Sequence, residues 1–132
     1  MKTALAIAVG VALVTGRASA LDPWTWQDSA WEAASLTAIV ADWGTTRDGA
    51  WKNDHLARSG RRYPAHIETN PILGRDPSPG RVDAYFVSAL LVHAGVAAVL
   101  PGRWRRAWQA STLTLELGMV NGNYHANLSV RF

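Results

Sequence analysis

Asp42, His93 and Glu116 are the residues of this sequence best suited to chemistry: two carboxyls and an imidazole, each set in an otherwise apolar stretch. Two carboxylates at one depth cannot both stay charged without a cation, an arginine or a shared proton between them. With His93 they also make a ligand set for a metal ion, and Glu68 or His66 are further candidates. No H-E-x-x-H, G-x-S-x-G or glycine-rich phosphate loop accompanies them. The residues therefore speak against an enzyme more than for one, and no cofactor is expected beyond that metal ion. The plainer expectation is a polar seam that fixes helix register, formed by Asp42, Thr46, Arg47, His93, Gln109 and Glu116.

Helical periodicity has to position these groups. Asp28, Glu32, Ser35, Asp42 and Thr46 follow one another at spacings of four, three, seven and four, which is one face of a helix. Gln109, Thr112, Glu116 and Asn123, at three, four and seven, form a second stripe. Ionisable groups are expensive in lipid, so two such stripes should face each other inside a bundle. The pattern predicts an all-α fold, a three-helix antiparallel bundle with helices at about 29–46, 82–100 and 104–120. Asp28 or Ser29 would cap the first helix, Pro101-Gly102 would join the other two as a hairpin, and Asn121-Gly122-Asn123 would end the third. On this scheme Asp42 and Glu116 each sit roughly 6 Å past the centre of their helices and meet. His93 lies about 3 Å to the other side, within reach of a bridging water or ion.

The connection over 47–81 is long and rich in Gly, Pro, Arg and Asn, and Trp51 to Arg58 within it suits a short helix. Its most distinctive part is Glu68-Thr69-Asn70-Pro71-Ile72-Leu73-Gly74. Pro71 restricts Asn70 to extended conformations and Gly74 permits a left-handed turn, so Glu68, Asn70, Pro71 and Gly74 should shape a tight lid. The tail from Tyr124 to Phe132 alternates apolar and polar residues, which predicts a short extended strand. Three helical segments leave too few strands for a barrel.

Location is written more clearly than chemistry. Lys2, the apolar run Ala4 to Val14 and Ala18-Ser19-Ala20 have the form of a secretory signal peptide over residues 1–20, leaving a single domain over 21–132. Lys2 and Arg17 leave with it, so the formal charge of +3 falls by two to +1, no basis for nucleic-acid binding. With no cysteine among 132 residues, disulfides and zinc-thiolate sites are excluded. The segment at 82–100 is nearly continuous in apolar residues, and Trp31 and Trp51 are about 30 Å apart along a helix, the thickness of a bilayer core. If Leu21 starts outside, the arginines of 47–81 fall on the cytoplasmic side, although Arg103, Arg105 and Arg106 then fall outside.

The run Asp42-Trp43-Gly44-Thr45-Thr46-Arg47, then Glu68 to Gly74, Tyr85-Phe86, His93, Leu100-Pro101, Trp108-Gln109 and Glu116 resembles a group of small uncharacterised helical membrane proteins of proteobacteria and their phages. The resemblance spans about residues 29 to 123 and implies a helical fold and a membrane location, with no function attached. The expectation is an exported protein of the bacterial inner membrane in a structural or accessory role. Its partners would be membrane lipid and a partner protein or a second copy of itself. Two alternatives stand beside it: a metal- or proton-handling membrane protein using Asp42, His93 and Glu116, and a soluble periplasmic helical protein.

Overall fold

A computed structural model describes residues 22–61 and 64–132; the signal peptide expected over 1–20 lies outside the described residues. Among the described residues the fold is all-α, with three helices: α1 (Trp26–Arg58), α2 (Pro79–Val99) and α3 (Gly102–His125). Thr25, not Asp28 or Ser29, caps α1. Asp28 N–H donates to the Thr25 hydroxyl and Thr25 N–H to the Asp28 carboxylate, a reciprocal box that satisfies two backbone donors. Ser78 caps α2 with Pro79 in its first turn, where a missing N–H costs nothing. Asp22 accepts from Gly102 N–H (2.9 Å) and closes the start of α3.

Both expected helix ends were too early. α1 continues past Thr46 to Arg58, absorbing the separate short helix expected over Trp51 to Arg58, because its Gly49 and Ala50 are buried against other elements and no proline interrupts. It ends where Gly60 takes φ +86° and Arg61 N–H reaches back to Leu56 O. α3 runs through Asn121-Gly122-Asn123, since Asn123 finds partners on α1, and stops at Asn127, whose φ of +58° lets Leu128 N–H bond Asn123 O.

α1 and α3 run in the same direction with α2 antiparallel to both. α2 and α3 are a hairpin in connectivity, yet each packs mainly on α1 and they touch each other little. The apolar core is small: Ile39 and Ala50 of α1, Val82 and Phe86 of α2, and Leu73 from the connection, with Trp43 stacked on Phe86. Among the described residues α2 is the one helix long and apolar enough to cross a membrane. α1 and α3 are less apolar over their length; Asp28, Glu32, Asp42, Asp48 and Arg105 on them are buried, while Lys52, Arg58, Arg103 and Arg106 stand exposed toward the helix ends. From Ser29 to Thr46, Ala84 to Leu100 and Ala107 to Tyr124 no exposed residue is charged. Each stretch is about 26 to 27 Å long. Trp24, Trp26, Trp31 and Trp104 stand exposed around one end of this belt and Trp51 near the other, so these tryptophans do not fill a core.

The C-terminal tail is extended but pairs with no strand among the described residues. It lies along α1 instead: Arg131 N–H donates to Gly44 O (3.2 Å), Leu128 is buried and the Phe132 ring meets Trp43 edge-on. Gly44 makes this approach feasible, because a Cβ there would stand 2.6 Å from Val130 Cγ1. Val130 is β-branched and cannot swing aside, so Gly44→Ala should push the tail off α1 at a cost of about 1–3 kcal/mol. Hydrogen exchange checks this: the Arg131 amide should lose protection while the amides of α2 keep theirs.

Candidate functional site

The two polar stripes face each other and assemble into two separate clusters. The first lies where the N-termini of α1 and α3 meet the end of α2. Arg105 is fully buried and spends its guanidinium on Ala97 O (3.0 Å), Asp22 O (3.0 Å) and Asp28 Oδ2 (3.3 Å), with the Trp24 ring 4.6 Å beneath it. Arg106 Nε lies 3.3 Å from the other Asp28 oxygen. Thr25 N–H first, then Arg106 and Arg105, hold the Asp28 carboxyl below the usual carboxylate range against the effect of burial. One turn deeper, Gln109 Nε2 donates to Glu32 Oε2 (2.8 Å) and to Asp28 O (3.1 Å), and Ser35 Oγ donates to Gln109 O (2.9 Å). His93 belongs here: Nε2 is 3.3 Å from Glu32 Oε2 and the ring stacks on Trp108.

The second cluster is nearer the other end. Asn123 Nδ2 donates to Asp42 Oδ1 (2.9 Å) and to Thr45 Oγ1 (2.8 Å), and Thr46 Oγ1 stands 3.5 Å from Asp42 Oδ1. The Glu116 carboxyl borders the same space as Asp42, its Oε2 buried without a hydrogen-bond partner. The two groups line a cavity of about 320 Å³ together with Glu68, Asn70, Pro71, Tyr85 and Met119. The lid forms as Pro71 and Gly74 suggest. Glu68 Oε1 accepts from Asn70 N–H (2.7 Å), Asn70 Oδ1 from Ile72 N–H (2.9 Å), and Gly74 takes φ +81°. Leu73 at its tip is buried in the core.

Asp42, Thr46 and Glu116 therefore come together as expected, with Glu68, Asn70 and Pro71 above them, while Gln109 serves the other cluster. His93 does not join Asp42 and Glu116. It sits at the level of Glu32, ten residues from Asp42 along α1, which is about 15 Å. The expected three-residue metal set is thus not assembled, and among the described residues no group of three His, Asp or Glu side chains could hold a metal ion. Arg47 lies outside the seam: its Nε donates to Asp83 Oδ1 on α2 (2.8 Å), which also accepts from Trp43 Nε1 (2.8 Å). His66 is engaged through its backbone by Asn53.

Several seam residues were missed or undervalued in the sequence. Asp28 and Glu32 stand on the stripe with no partner visible in the sequence, and Arg105 is there one of three arginines expected on the outer side. Asp48 was overlooked entirely: it accepts from Ser129 N–H (3.0 Å) and pairs with Lys52 (2.7 Å). Burial opposes its ionisation, but Lys52 and Ser129 outweigh that and hold its carboxyl below the usual range. A signal existed for Asp48: Lys52 stands four residues on, the spacing of a helical ion pair. No family model, curated protein or solved structure matches the chain.

Asp28→Asn should strand a fully buried guanidinium and cost about 3–5 kcal/mol. Arg106→Gln, removing a half-exposed partner of the same carboxylate, should cost less than about 1 kcal/mol. Denaturant unfolding followed by circular dichroism separates the two, and equal losses would show that Arg105 is not the partner that matters. In the other cluster Asn123→Ala should cost about 1–3 kcal/mol by leaving Asp42 and Thr45 without their shared donor. Glu116→Gln, which can donate to Asp42 itself, should be nearly neutral in the same assay.

Proposed function

We propose that this chain is a small integral membrane protein of the bacterial cell envelope, inserted as a three-helix unit. Its role is structural or accessory, its outer surface presented to lipid and to a partner protein. The observation that supports this most is the belt: three helices each expose about 26 Å without a charged side chain, while Asp28, Glu32, Asp42 and Arg105 are buried between them. A soluble protein would have the reverse arrangement, since charged residues are rarely buried and large apolar patches rarely exposed in water. On α2 and α3, Leu91, Val92, Leu115, Leu117 and Met119 are all exposed. Four tryptophans at one end of the belt and Trp51 at the other fit the two interfaces of a bilayer. The resemblance to helical membrane proteins of proteobacteria and their phages points the same way.

Orientation follows from the basic residues. The end carrying Lys52, Arg58, Arg75, Arg81 and Arg131 would face the cytoplasm. At the opposite end Arg105 is internal and Arg106 is matched by Asp28, which removes most of the conflict that a plain charge count creates.

The absence of cysteine makes a clean test available. Single substitutions Gln27→Cys, Ser88→Cys and Ser59→Cys sample one end, the belt and the other end. In intact spheroplasts a membrane-impermeant maleimide should label Gln27→Cys at once and Ser59→Cys only after lysis. Ser88→Cys should stay unlabelled until detergent is added. The protein itself should resist carbonate extraction. Release by osmotic shock together with rapid labelling at position 88 would instead support a soluble periplasmic protein.

A further inference from the structure

A second cavity, of about 500 Å³, opens at the cytoplasmic end of α1 and is lined by Trp51, Lys52, His55, Leu56, Ala65 and Arg131. We propose that it seats the phosphate of an anionic phospholipid from the inner leaflet. This rests on the membrane reading above and adds to it a site and a ligand class.

Depth is the first reason. Trp51 and Lys52 lie five and six residues beyond Thr46, the last residue of the uncharged stretch on α1. That places them about 8 Å outside the belt, the level of the headgroup layer. Charge is the second. No carboxylate lines the cavity. Asp48, which is buried, is matched by Lys52 at 2.7 Å, whose Nζ also donates to Asn127 O (2.8 Å). Arg131 reaches Asp48 only at 3.6 Å and stays 55% exposed, its guanidinium 6.0 Å over the Trp51 ring. One carboxylate thus faces two cations, and the uncompensated charge belongs to a guanidinium with free donors in a planar fork, the group that best matches phosphate oxygens.

Shape is the third reason. Trp51, Leu56 and Ala65 give the cavity apolar walls, which suit the glycerol backbone and first methylenes of a lipid better than a hydrated inorganic ion. The tail is part of the site, since it is the docking of Leu128 and Val130 along α1 that carries Arg131 to the cavity mouth.

The test is native mass spectrometry of the protein released from nanodiscs containing equal parts phosphatidylglycerol and phosphatidylcholine of the same acyl chains. The intact protein should retain phosphatidylglycerol in preference, and Arg131→Gln should lower that preference about fivefold. Trp51→Ala should lower it as well, and Arg103→Gln, at the opposite end, should leave it unchanged. Circular dichroism on each variant reports whether the helices are intact. Retained preference in both Arg131→Gln and Trp51→Ala overturns the proposal, as does equal loss in Arg103→Gln. Displacement of phosphatidylglycerol from the wild-type protein by inorganic phosphate would assign the site to a free anion and overturn the lipid. Failure of the protein to enter nanodiscs at all would overturn the membrane reading, and this proposal with it.

Discussion

Everything in this fold depends on Arg105 being buried against Asp28. A guanidinium with no solvent exposure is tolerable only if its donors are matched, and the chain brings acceptors from three places to do it: the Asp28 carboxylate, the last turn of α2 at Ala97 and the segment before α1 at Asp22. Because those acceptors belong to different elements, satisfying the one cation fixes the rotation of α3, the end of α2 and the approach of the N-terminal segment together. Gln109, one turn further along α3, then has no choice of partner but Asp28 O and Glu32. Apolar contact alone would leave these helices free to slide, since Leu73, Val82 and Phe86 serve only the α1–α2 side of the structure.

How much of this was legible follows from which signals are local. The spacing of Asp28, Glu32, Ser35, Asp42 and Thr46 is a property of one helix, and all five are buried; on the second stripe Gln109 is buried and Thr112, Glu116 and Asn123 are half-buried. Helix ends depend on what lies outside the segment. Asn121-Gly122-Asn123 looks like a stop in isolation, but Asn123 is held by Asp42 and Thr45, and that tertiary contact carries α3 another turn. The same error misplaced His93. A second helix over 82–100 and a first one ending at Thr46 put His93 between Glu32 and Asp42, and the true bounds, Pro79–Val99 and Trp26–Arg58, bring it to Glu32. Register between helices is not encoded in the periodicity of either helix.

Arg105 was illegible for a different reason. In the sequence it stands between Trp104 and Arg106 and reads as one of three basic residues at a helix start, where solvent or headgroups would take them. Only its neighbours in space separate it from Arg103 and Arg106: it is fully buried against α1, whereas Arg106 reaches Asp28 from the surface and Arg103 is exposed. Counting all three as external charge is what made the orientation look contradictory, and removing Arg105 from that count needs the structure.

The two ends of the molecule are built on opposite principles, and this bears on where any function sits. The end with Asp28 and Arg105 is closed, with Asp28, Arg105 and Gln109 almost entirely buried, α1 capped by its own Thr25 and the start of α3 by Asp22. The other end is assembled from pieces that are not helical: the Glu68 to Gly74 lid with its buried Leu73, and a tail laid into the grooves that Gly44 and Gly49 leave open on α1. The two cavities described above lie at this second end, one under the lid with Asp42 and Glu116 and one beside the tail with Lys52 and Arg131. Buried polar atoms without a hydrogen-bond partner occur at both ends, Glu32 Oε1 and both His93 nitrogens in the closed cluster and Glu116 Oε2 under the lid, but it is Arg131 and Glu116, at the second end, that border a cavity able to admit something else.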